Sequence, residues 1–121
     1  MTEEKTKTTK IKIIYVDGSG DGRYGFLVDE TKESEILKKP GITNNEAEYL
    51  AVIEVLKRFP DKEIEIRSDS KLVVSQLNSD FAIKEDRLRT LFQEVWKLCK
   101  GRKIRFSWIP REMNKAGKLL G

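Results

Sequence analysis

Three acidic residues could do chemistry together if folding brings them to one place: Asp17, Glu48 and Asp69. Asp17 closes an apolar run, Asp69 follows an alternating run, and Glu48 falls in the first turns of a helical pattern between them. Carboxylate oxygens are the ligands Mg²⁺ prefers, and a small set of them leaves positions open for water and a phosphate oxygen. In a two-metal site one ion activates the attacking water and the other stabilises the leaving oxygen. Spacing alone also admits a plainer role, because an Asp at a strand end commonly serves as a turn or cap residue. The 121 residues contain no histidine, which removes Ser-His and Cys-His nucleophiles and His-ligated zinc. The single cysteine, Cys99, lies in an apolar helical pattern and is expected to be a small core residue. Hydrolysis in this chain must rest on carboxylates, lysines or metals held by oxygen.

The elements that would carry these acids follow from periodicity. Residues 10–17 begin with Lys/Ile alternation and end apolar, as a strand buried on both faces does. A turn containing Gly18, Gly20 and Gly22 leads into a hairpin partner at residues 23–28, the three glycines being expected to supply positive φ. A shorter edge strand follows at 34–38. From Thr43 the period changes: Ala47, Ala51, Val52, Val55, Leu56 and Phe59 recur at three- and four-residue steps. Thr43 and Glu46 there form a capping-box pattern. Pro60 and Asp61 stop that helix, and residues 62–68 alternate as a fourth strand.

Ser70 caps a short helix that runs through Leu77. Leu88, Leu91, Phe92, Val95, Leu98 and Cys99 mark one face of another helix, closed by Gly101. Ile104, Phe106 and Trp108 alternate on a fifth strand, which favours a core place for Trp108 over base stacking. A terminal helix is expected after Pro110. The order β-β-β-α-β-α-α-β-α implies an α/β protein with a mixed sheet covered by helices. If the first and fourth strands are parallel neighbours, Asp17 and Asp69 emerge at the same sheet edge.

Composition sets the outer bounds. Hydrophobic residues make up 38% and charged residues 36% of the chain, which suits one folded domain with a heavily charged exterior. Residues 1–9 are expected to be a flexible polar tail and 10–121 the domain. No run approaches the about 18 apolar residues a membrane span needs, so no membrane association and a cytoplasmic location are expected, as is a monomer. The net charge is +4. Between Lys97 and Lys118 lie eight basic residues, Lys97, Lys100, Arg102, Lys103, Arg105, Arg111, Lys115 and Lys118, against one acid, Glu112. Such clustering is the footprint expected for a phosphate backbone.

The segments YVDGSG (15–20), TNNEAEY (43–49), IRSDS (66–70) with VSQLN (74–78), and WIPREMN (108–114) resemble, in order and spacing, the motifs of type 1 ribonuclease H, most of all its compact form. The resemblance covers nearly all of residues 10–121. It implies a ribonuclease H-like fold, a five-stranded mixed sheet of order 3-2-1-4-5 flanked by helices. It also implies cleavage of the RNA strand of RNA/DNA hybrids by a four-carboxylate, two-metal site, with Mg²⁺ as cofactor, Mn²⁺ as a substitute and no small-molecule cofactor. Carried over by position, Asp17 would bridge both metals, with Glu48 and Asp69 completing one side each. Gly18, Ser19, Asn44 and Asn45 resemble residues placed against the hybrid; Gln76 and Asn78 would reach the strand beside it. Arg111 and Lys115 would bind phosphate.

One departure stands out. The family's fourth carboxylate is an Asp four residues beyond the Asn of the last motif. The run from Asn114 to Gly121 places Lys118 there, a cation where a second cation should sit. Three outcomes are open: reduced activity with one strong metal, a hybrid-binding module without catalysis, or a last helix in another register. A nuclease-like domain for other structured nucleic acids is a further possibility, since fold does not fix function. The loop before the last helix also lacks the histidine that many members carry.

Overall fold

The computed structural model describes residues 11–79 and 83–121, so the proposed tail at 1–9 lies outside the described residues. The strands are β1 (Lys12–Gly18), β2 (Arg23–Val28), β3 (Ser34–Lys38), β4 (Glu63–Ser68) and β5 (Lys103–Trp108). The helices are α1 (Asn44–Arg58), α2 (Lys71–Asn78), α3 (Asp86–Leu98) and α4 (Lys115–Leu120). A 3-10 turn, Arg111–Met113, precedes α4.

The sheet order is β3-β2-β1-β4-β5. The β1–β2 and β2–β3 pairs are antiparallel, and β1–β4 and β4–β5 are parallel. The parallel pairs follow from helical crossovers: α1 carries the chain from β3 to β4, and α2 with α3 carries it from β4 to β5.

Alternation decides the faces. Ile14 and Val16 of β1, Phe26 and Val28 of β2, and Ile64 and Ile66 of β4 are buried in one cluster with Tyr49, Val52 and Val55 of α1. Each fully buried aliphatic side chain contributes about 1.5–3 kcal/mol of transfer free energy. The capping box of α1 forms as the spacing predicts: Glu46 N–H donates to Thr43 Oγ1 at 3.1 Å and Thr43 N–H to Glu46 Oε1 at 2.8 Å. Cys99 is half-buried at the end of α3 and packs against the core.

Two expectations are corrected. Of the three turn glycines only Gly22 has positive φ, at 90°. Gly18 is small for another reason: a Cβ there would stand 2.5 Å from the backbone of Ala47 and Glu48, so its bare Cα lets α1 pack against the end of β1. Trp108 is not core. It shares the Ser68 register at the end of the edge strand β5 and is 43% exposed. Its Nε1–H donates to the Asp69 carbonyl at 3.1 Å, and the Lys71 ammonium sits 4.9 Å from the ring centroid.

Candidate active site

Because β1 and β4 are parallel, their C-terminal ends open on the same edge, and Asp17 and Asp69 stand there side by side. The second turn of α1 brings Glu48 to them. One carboxylate oxygen from each of Asp17, Glu48 and Asp69 lies within 4.8 Å of the others, the one such acidic or metal-ligating group among the described residues. Two oxygens on opposite sides of one Mg²⁺ stand about 4 Å apart, so the donor set fits a hard divalent cation. Oxygen is the only donor type here, which suits Mg²⁺ or Mn²⁺ over zinc or copper.

Glu48 is held from two sides. Gly18 N–H donates to its Oε2 at 2.9 Å and the Ser68 hydroxyl to its Oε1 at 3.0 Å. Burial and the neighbouring Asp17 push its carboxyl up to about 9, so in the metal-free protein it keeps a proton and shares it with Asp17. Asp17 is itself raised, first by burial; the Asp69 charge adds to this and the Arg111 guanidinium opposes it. Three carboxylates this close repel one another, and a cation relieves that repulsion.

The carboxylates line a cavity of about 450 Å³ whose walls include Asn44, Asn45, Arg23, Arg111 and Gly117. Asn44 and Asn45, the first two residues of α1, therefore face the site, as does Arg111. Ser19 also lines the cavity, but its hydroxyl donates to Asp21, which in turn holds Arg23 by an ion pair of 2.9 Å. Gln76 does not reach the surface: it is 8% exposed, and its Oε1 accepts from the Tyr49 hydroxyl at 2.7 Å. Asn78 donates to the Phe106 carbonyl at 2.9 Å, tying α2 to β5. Lys115 pairs with Asp29 at 2.8 Å and sits over the Tyr15 ring, away from the carboxylates.

Lys118, the residue at the expected fourth-carboxylate position, lies in α4. It is exposed and forms no ion pair with Asp17 or Asp69 among the described residues. Gly117 of α4 stands beside the carboxylates: a Cβ there would lie 3.4 Å from Asp17 Oδ2. Sequence reasoning also missed Ser68, Asp21, Arg23 and the indole of Trp108 as parts of the site's frame. Ser68, Asp21 and Arg23 carry no signal of type or spacing that singles them out, and the alternation that includes Trp108 points it to the core instead.

The RNase H family model matches residues 9–115. Ribonuclease HI of Campylobacter jejuni is 31% identical over 110 residues, covering 79% of this chain and 75% of that protein. Among solved structures, RNase H1 of the halophilic archaeon Halobacterium salinarum superposes with a TM-score of 0.79 at 26% identity, covering 92% of this chain and 94% of that one. LC11-RNase H1, solved in complex with RNA/DNA hybrid, gives a TM-score of 0.75 at 28% identity, covering 91% and 99%.

Proposed function

Because the chain belongs to the RNase H family, we propose that it hydrolyses the RNA strand of RNA/DNA hybrids with Mg²⁺ held by Asp17, Glu48 and Asp69, Mn²⁺ serving as a substitute. The observation that carries this is the meeting of those three carboxylates at the shared end of β1 and β4, inside a cavity walled by polar and cationic side chains. When bound, the ion polarises a phosphoryl oxygen and lowers the pKa of coordinated water toward neutrality.

The chain's own residues do the remaining work. Arg111 faces the cavity and forms no ion pair within 4.0 Å among the described residues, its charge acting on Asp17 only at longer range, which leaves its planar donors for a phosphate. Asn44 and Asn45 present amides at the cavity wall, where they suit the sugar edge of a strand; the 2′-hydroxyl is what separates RNA from DNA at such a contact. Glu48 must give up its proton before it can act as an anionic ligand, so cation uptake is coupled to proton release and tightens as pH rises. All three carboxylates come from one copy of the chain, which supports action as a monomer.

The test is incubation of an end-labelled RNA/DNA hybrid with the protein in Mg²⁺ or Mn²⁺. The expected result is cleavage of the RNA strand, an intact DNA strand, and loss of cleavage in Asp17→Asn and Asp69→Asn. Binding of the hybrid without cleavage in either ion would leave a hybrid-binding module. Equal affinity for hybrid and double-stranded DNA would remove the hybrid as the partner.

A further inference from the structure

Asn114 is fully buried at the junction of four elements. Its Nδ2 spends one hydrogen on the Val16 carbonyl of β1 at 2.9 Å and the other on Asp69 Oδ2, just beyond β4, at 3.1 Å. Its Oδ1 accepts from Ala116 N–H at 3.0 Å and so caps α4. Its backbone N–H donates to the Arg111 carbonyl in the 3-10 turn at 3.0 Å. The network fixes the amide's orientation: a flip would set the oxygen against two oxygens and the NH₂ against an N–H donor.

Only a carboxamide satisfies this place. An aspartate would offer acceptors to the Val16 carbonyl and to a second carboxylate. A serine would cap α4 but fall short of Asp69. Capping is served equally well by Asn, Asp and Ser, so capping alone does not call for Asn. What distinguishes Asn is its pair of hydrogens, and these run to the residue before Asp17 and to the side chain of Asp69. The two aspartates repel each other, since the Asp69 charge opposes ionisation of Asp17. A donor on Asp69 Oδ2 holds that side chain, itself part of the cavity wall, in place.

We propose that Asn114 is a positioning residue: by tying the end of β1 to the Asp69 carboxylate through one amide, it sets the spacing of Asp17 and Asp69 and thereby the affinity of the site for a divalent cation. This rests on the reading that Asp69 helps to hold that cation. Asn114 touches neither cation nor phosphate and acts through Asp69. The side chain's burial makes the tie rigid, because no water can replace a bond that its amide gives up.

The test is calorimetric titration of the full chain with Mn²⁺ alone, in the unchanged protein, Asn114→Ser and Asn114→Asp, with circular dichroism and thermal unfolding as controls for the fold. Both variants keep an α4 cap and are expected to unfold cooperatively, yet to bind Mn²⁺ at least tenfold more weakly. In an Asp69→Asn background, Asn114→Ser should weaken binding by less than a further factor of two, because the carboxylate it serves is gone. Mn²⁺ affinity within twofold of the unchanged protein in Asn114→Ser would overturn the proposal. So would a tenfold loss that persists in the Asp69→Asn background, or failure of both variants to fold, which would make Asn114 a structural residue. An unchanged protein that binds no Mn²⁺ would sink the metal reading itself and this assignment with it.

Discussion

Glu48 sits where burial and function pull in opposite directions: a ligand must be anionic, while its surroundings favour the neutral acid. Its carboxyl ordinarily ionises near 4.5, and in the folded protein it keeps its proton up to about 9. The stability it contributes is therefore fully present below 4.5 and is lost as pH rises through the folded value. The thermal midpoint of metal-free protein should fall between these limits, and Glu48→Gln, a neutral isostere, should flatten that fall. Parallel midpoint-against-pH curves for the two proteins would show that Glu48 does not carry the dependence. At Lys118 the question is whether charge or a missing ligand weakens the site. Its ammonium makes no ion pair with the carboxylates among the described residues, so Lys118→Ala should leave hybrid cleavage within twofold, on a scale where tenfold is about 1.4 kcal/mol. Lys118→Asp should raise cleavage at limiting Mg²⁺ tenfold or more, because it adds a carboxylate on α4. Equal gains in both variants would assign the effect to the lysine's charge, and no gain in either would place the fourth position elsewhere on α4. Asp17, Glu48 and Asp69 are legible as candidates because each sits at a strand end or near a helix start, and the motif resemblance selects them over turn or cap roles. Asn114 is not, because its bond to Val16 spans 98 residues and leaves no local pattern.

At the level of elements, α1 shows how much a local signal can carry. Its cap, its reciprocal Glu46 bond and its apolar stripe are all written within residues 43–59, and the helix forms there. The strands β2 and β3 likewise fall where alternation and turn residues put them. At the end of β5, alternation says which face a residue takes but not how deeply a position on an edge strand is buried. Arg102 illustrates the same limit. By sequence it belongs to a basic cluster, yet its guanidinium donates to the carbonyls of Leu56, Phe59, Asp61 and Leu98. These are the ends of α1 and α3 and the approach to β4, so the side chain clamps three elements and has no donors to spare for phosphate. Arg102→Met should lower stability by about 2 kcal/mol or more, since charged hydrogen bonds contribute about 1.5–3 kcal/mol each and are not additive. Urea unfolding measures this, and hybrid affinity under folding conditions should not change. An unaltered unfolding midpoint would show that the clamp adds nothing.

Across the whole molecule the basic run from Lys97 to Lys118 does not form one surface. Parallel pairing puts Trp108 beside Ser68 at the carboxylate end of the sheet and Lys103 beside Glu63 at the other. At about 3.3 Å per residue, those two ends of β5 lie roughly 16 Å apart. Lys97 and Lys100, in the last turn of α3 and just beyond it, belong with Lys103 at the far end, whereas Arg111 lines the cavity. Linear clustering suggested a single phosphate footprint because a sequence records order and not the reversal of direction at each turn. The split makes a prediction. Each phosphate neutralised on a duplex adds about 0.9 to the slope of log affinity against log salt. Replacing Lys97, Lys100 and Lys103 together by Gln should therefore leave both the affinity for a hybrid of about one helical turn, 10 base pairs, and its salt slope unaltered. Arg111→Gln, a single substitution, should weaken binding across sequences and reduce the slope by about 1. If the triple variant instead lowers the slope by two or more while Arg111→Gln leaves it unchanged, the hybrid is gripped at the far end of the sheet, and the cavity beside Asp17 is not where the backbone is held.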